Sequence, residues 1–160
     1  MPKEPITNAV FNAVLLRLRA IKAGENYFCS PVVHDQKINV ERHMCPAIVV
    51  YQAGEEWAVN GGGNTETGAC GNVQMSVAQQ IIICLFHTAP ELINRLKADV
   101  EIALRVNDLK AGNLLLPVGE QSGVAYSLQG PASASPGEGL ELEDARFTLT
   151  AIYSRAHGSP

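Results

Sequence analysis

A chain of 160 residues fits one domain, long enough to bury roughly 70% of the surface its unfolded form exposes. Charged residues make up only 18% and hydrophobic residues 46%, against a charged share of about 25% in ordinary domains. So little polar surface points toward an assembly component, and a net charge of −4 argues against a binder that works by neutralising nucleic-acid phosphates.

The opening Met1-Pro2-Lys3-Glu4-Pro5 has no signal-peptide core, and no later apolar run approaches a membrane span. The expectation is a protein made and kept in a cytoplasm, without a membrane partner. Cys29, Cys45, Cys70 and Cys84 are widely spaced with no Cys-x-x-Cys pair, so they read as free thiols.

The first helix is expected from Thr7 to Ala23. Thr7 or Asn8 caps it, Gly24 ends it, and Val10, Phe11, Val14, Leu15, Leu18 and Ile21 form its apolar face. Arg17, Arg19 and Lys22 fall in its last two turns, where cations suit the helix dipole. Tyr27 to Val40 reads as extended but irregular, and Pro31 restricts it to an edge or bulged strand. The continuous apolar run Ala47-Ile48-Val49-Val50-Tyr51 predicts a strand buried on both faces, which Gly54-Glu55-Glu56 turns.

Residues 60–72 are glycine-rich and almost devoid of apolar side chains. Such a segment cannot offset its ordering entropy by burial, so it reads as a mobile arm at the tip of a long hairpin. Its glycines lack the Gly-Lys-Ser/Thr ending of a phosphate-binding loop, which rules out a nucleotide site of that kind. Val73 to Phe86 is the central strand: it begins with alternation and ends in the apolar run Ile81 to Phe86.

Thr88-Ala89-Pro90-Glu91 then starts a second helix as a capping box, with Thr88 and Glu91 satisfying each other's amides. Leu92, Ile93, Leu96, Val100, Ala103 and Leu104 form its stripe, with Glu91–Arg95 and Glu101–Arg105 pairs on its solvated side. Asp99 adjoins the stripe, as an exposed residue or a cap for a neighbouring loop. Asn107 to Gly119 reads as a loop. Two further strands are expected at Gly123 to Gln129 and Leu140 to Ser154, joined by a Pro/Ser/Gly loop at 130–139; a bulge or break is placed near Asp144 because the alternation changes parity there. The order predicts a single α+β domain over 1–160, an antiparallel or mixed sheet with two main helices packed on one face.

Chemistry-bearing clusters are few. His43-Met44-Cys45 is the only tight pairing of metal-competent side chains, and with no recognised ligand spacing it reads as a surface histidine and a small core cysteine. Its functional alternative is a small α+β enzyme or ligand-binding domain using His43 and Cys45. Glu138, Glu141, Glu143 and Asp144 form an acidic cluster beside a linker, where charge ordinarily serves solvation. Trp57 stands just before the arm, and a lone tryptophan at a strand end is more often a core lid than a binding anchor. No catalytic residue, metal or cofactor is assigned.

The helix end Leu16-Arg17-Leu18-Arg19-Ala20-Ile21-Lys22-Ala23-Gly24, the strand Pro46 to Tyr51 with Gly54-Glu55-Glu56, and Thr88-Ala89-Pro90-Glu91 leading to Lys97-Ala98-Asp99-Val100 form a pattern. With Tyr153 and the ending His157-Gly158-Ser159-Pro160, it resembles the tail terminator proteins of long-tailed bacteriophages, also described as minor tail or tail-completion proteins. The resemblance spans nearly the whole chain through loose motifs, and Ser159 departs from a more usual Gly-Asp-Pro ending. It implies a structural virion protein at the head-proximal end of the tail, assembled in the host cytoplasm. There a homo-oligomeric ring, a hexamer in that family, caps the completed tail tube, ends tube-protein polymerisation and offers a docking surface to neck, connector or head-completion proteins.

Under that reading Trp57, Asn60, Gly61, Gly62, Gly63, Asn64, Gly68 and Gly71 are interface candidates. Glu138, Glu141, Glu143 and Asp144 are candidates for an acidic lumen through which DNA passes without specific binding. Another neck or head–tail joining protein is the neighbouring alternative.

Overall fold

The computed structural model describes residues 5–60, 74–104, 125–132 and 142–156. Helix α1 (Ile6–Arg19) leads to a short strand β1 (Val32–His34), a 3-10 turn (Arg42–Met44) and the long strands β2 (Ala47–Asn60) and β3 (Gln74–His87). Helix α2 (Pro90–Leu104), β4 (Ala125–Ala132) and β5 (Glu143–Ala156) follow. The five strands form one sheet in the order β1-β2-β3-β5-β4, with β1 parallel to β2 and every other pairing antiparallel. The fold is α+β with a mixed sheet, and both helices cover one of its faces, as expected.

Strand alternation decides which face that is. Val77, Ile81, Ile83 and Leu85 of β3, Ile48 and Val50 of β2, and Ala145, Phe147, Leu149, Ala151 and Tyr153 of β5 are buried together. Val10, Val14 and Leu18 of α1 and Ile93, Leu96, Val100 and Leu104 of α2 close over them. Each fully buried aliphatic side chain contributes about 1.5–3 kcal/mol, so no alternative register could give up that face cheaply.

Ala47 to Val50 are all buried, as the unbroken apolar run predicted. The far side of β2 is covered by the connection from β1: Lys37 Nζ lies 4.6 Å from the ring centroid of Tyr51, a residue pointing away from the helices.

Several boundaries differ from expectation for local reasons. Helix α1 runs from Ile6 to Arg19, not Thr7 to Ala23, and neither Thr7 nor Asn8 caps it; the Pro5 carbonyl takes the amides of Asn8 and Ala9 instead. At its other end Ala20 and Ile21 donate to Arg17 and Leu18, a tightening that ends the helix before Gly24. Ile21 remains buried, which is why the stripe outran the helix.

The capping box of α2 is absent. The Thr88 amide donates to His87 Nδ1 at 2.8 Å, while the Glu91 carboxylate takes Arg95 at 2.8 Å, the predicted pair. Arg105, the partner assigned to Glu101, lies outside the described residues.

Gly54-Glu55-Glu56 does not turn β2. The strand continues to Asn60, and the register shifts between Gln52 and Gly54, where glycine adopts φ +150°. A bulge takes up the extra residue, so a glycine that reads as a turn lies inside a strand.

Pro131 and Ala132, assigned to a linker, belong to β4, whose register shifts between Gln129 and Ala132. The expected bulge near Asp144 is not there: β5 pairs with β3 without interruption from Glu143 to Ala156.

Gly130 sits in that β4 irregularity at φ +116°, and an added Cβ would lie 2.6 Å from the Arg146 carbonyl oxygen. Gly130→Ala should therefore destabilise the domain by about 1–3 kcal/mol, read as a lower urea midpoint. An unchanged midpoint would show that this edge yields freely.

Candidate assembly surface

Strands β2, β3 and β5 are each 14 residues long. At ~3.4 Å per residue they span about 45 Å, whereas helix α1, of the same length, covers about 21 Å. The helix begins level with Gln79, whose Nε2 donates to the Thr7 carbonyl at 3.0 Å and which faces the Tyr153 hydroxyl at 3.5 Å. Gln79 is fully buried and spends both ends of its amide there. Beyond it the three strands continue as a ribbon.

On that ribbon β3 is enclosed, with Val77 and Met75 buried, while β2 is exposed from Gln52 to Ala58. Strand β1 pairs only with Ala47, Ile48 and Val49, so among the described residues nothing pairs with the outer edge of β2 from Val50 onward. Glu55, Glu56 and Trp57 stand on this edge, all exposed. Trp57 is 62% exposed, not a core lid, and its Nε1 donates to Glu55 Oε2 at 2.8 Å. It pairs with Val77, but β2 is outermost here and presents its side chain to solvent.

Of the other interface candidates, Asn60 closes β2, and Gly61, Gly62, Gly63, Asn64, Gly68 and Gly71 lie outside the described residues. Glu138 and Glu141 lie outside them too. Glu143 and Asp144 open β5 opposite His87 and Phe86, so they point to opposite faces of the sheet and form no paired-carboxylate site. Burial raises the Asp144 carboxyl above its usual range, Arg146 opposes this and Glu143 adds to it.

His43 lies exposed on the 3-10 turn with Nδ1 3.3 Å from Glu41 Oε2, and Cys45 Sγ lies 3.8 Å from the Glu41 carbonyl oxygen. Among the described residues no three His, Cys, Asp or Glu side chains gather as a metal site. Cys29, Cys45 and Cys84 are free thiols, and burial pushes all three up, Cys29 to about 11 with Asp99 adding to the effect. Cys70 lies outside the described residues. Among those residues no helix is long and apolar enough to cross a membrane.

Two features escaped the sequence reading. Phe28 is 63% exposed in the loop after α1, with the Arg95 guanidinium 5.9 Å from its ring centroid. On the sheet face opposite α1 and α2, Tyr51, Cys84 and Arg146 interact side by side across the three long strands. Neither carries a periodicity signal, because strand pairing and loop closure bring these residues together.

Asp99 resolves in favour of a loop cap. It is fully buried in α2, and its carboxylate accepts the Phe28 amide at 2.9 and 3.1 Å and the Cys29 amide at 2.8 Å. It ties the α1–β1 loop to the second helix across 71 residues of sequence.

No protein-family model matches the chain, and no curated protein matches it.

Asp99→Ala should cost about 3 kcal/mol, because it leaves two backbone donors without an acceptor. Asp99→Asn, which keeps one oxygen, should cost less. Chemical denaturation measures both; equal and small losses would show that water replaces the carboxylate freely.

Proposed function

We propose that the chain is a structural, non-catalytic protein of a bacteriophage virion. It forms a homo-oligomeric ring, a hexamer, that caps the completed tail tube, ends its polymerisation and presents a docking surface to neck, connector or head-completion proteins. Its place is the head-proximal end of the tail, with assembly in the host cytoplasm.

The observation that supports this best is the ribbon formed by β2 and β3 with β5. It carries an exposed tryptophan on an edge with no described strand neighbour, and its hairpin connection is the glycine-rich stretch 61–73. Trp57 bonds Glu55 yet keeps 62% of its surface exposed, and a large aromatic adds most stability where it is covered. A neighbouring subunit or the tube would cover it. The low charged fraction of 18% fits a protein that works among copies and partners. In such a ring, lumen carboxylates contributed by Glu138, Glu141 and one of Glu143 and Asp144, which point to opposite faces, would repel DNA phosphates, so the genome would pass without sticking.

Replacing residues 60–72 by a two-residue turn should leave the chain folded. The pairing of β2 with β3 from Ala47 and Phe86 outward does not depend on loop length, and closure cost changes slowly with it. The same change should weaken ring formation or docking on tube protein, followed by light scattering. Protease cleavage within 60–72 should fall when the ring assembles. Equal cleavage before and after assembly would make the segment a tolerated insertion.

A further inference from the structure

The ribbon edge has a chemical counterpart at the other end of the same molecule. Helix α1 starts beside Gln79 and runs away from the ribbon, and its C-terminal end feeds through a loop into β1, which begins opposite Ala47 at the far end of β2. Near that end Leu16 is the most exposed large hydrophobic of the described residues, at 74%. Arg19, one turn on, shares its outward face, and Lys22 follows, also exposed. Arg19 Nη2 lies 3.7 Å from Asp35 Oδ2, an exposed pair that costs little to rearrange.

Trp57 lies two residues beyond the Gln79 level and Leu16 nine residues along the helix in the other direction, so the two patches stand on the order of 20 Å apart. No movement of side chains within one chain brings them together.

We propose that the ribbon edge of one copy, Trp57 with Glu55 beside it on the same face, seats on the Leu16–Arg19–Lys22 patch of a second copy. The occupant is another copy of this chain because each patch supplies what the other lacks. One offers an exposed aromatic with a carboxylate beside it, the other an exposed leucine with two cations. Two Trp57–Glu55 patches set against each other would bring like charges together with no cation from either copy, whereas the helix patch supplies two. The contact is therefore head-to-tail, the kind that closes into a ring when its rotation allows. It rests on the ring reading and assigns that ring its two surfaces.

Sedimentation velocity of the purified full-length chain tests this with three variants. Glu55→Lys, and separately Arg19→Glu with Lys22→Glu, should each raise the concentration needed for assembly at least about tenfold. An equimolar mixture of the two variants should restore assembly to within about threefold of the unaltered chain, because each reversed patch then meets its complement on the other variant. Glu101→Lys, an exposed reversal on α2, should change nothing. Recovery on mixing excludes misfolding as the cause of either loss. Unaltered assembly of the two reversed variants, failure of the mixture to recover, or equal weakening by Glu101→Lys overturns the contact while the ring stands. An unaltered chain that stays monomeric at every concentration overturns both.

Discussion

Every residue of β3 from Gln74 to His87 is paired with β5, and all but His87 face a β2 pairing region on the other side. That double pairing is the constraint on which the rest of the molecule depends. Because β3 is held along both edges, its alternation sets the facing of its neighbours. Ile81, Ile83 and Leu85 fix the covered face for Val50 and Ile48 on one side and for Leu149, Phe147 and Ala145 on the other. A slip of one residue would turn this whole set outward, and no turn chemistry could compensate a loss of that size. The helices follow the sheet: they lie where the apolar face already is.

Two buried polar side chains complete this arrangement from opposite ends. Gln79 interrupts the apolar face of β3 where α1 begins, and bonds the Thr7 carbonyl. Asp99 interrupts the stripe of α2 where the chain leaving α1 must turn toward β1, and accepts two loop amides. A buried polar group is tolerated only when its partners are in place, so each acts as a positional lock on α1 and its exit loop. Together they orient α1 along the sheet, and so separate Leu16 from Trp57.

The sequence was most legible where burial acts through period. The α2 stripe, the inner apolar run of β2 and the alternation of β5 each led to the element that forms. It was least legible where one local signal has two structural meanings. Gly54 has the composition of a turn and serves as a bulge; Pro131 has the composition of a linker and sits inside an edge strand. Thr88 and Glu91 have capping-box spacing, yet His87 and Arg95 are nearer partners for the same groups. The exposure of Trp57 depends on where α1 begins over the sheet and on how far β1 runs beside β2, long-range facts that no window around residue 57 contains. Asp99 was partly legible: its place beside the stripe suggested a loop cap, but the loop it holds lies 71 residues earlier.

The decisive property is whether copies of this chain close into a ring. Native mass spectrometry of the unaltered protein, joined to negative-stain images of the same sample, measures that directly. The expected result is a species of six chain masses that appears in projection as a ring with an open centre. A sample that holds only single chains at all concentrations, or that grows into open filaments without a closed species, would contradict it.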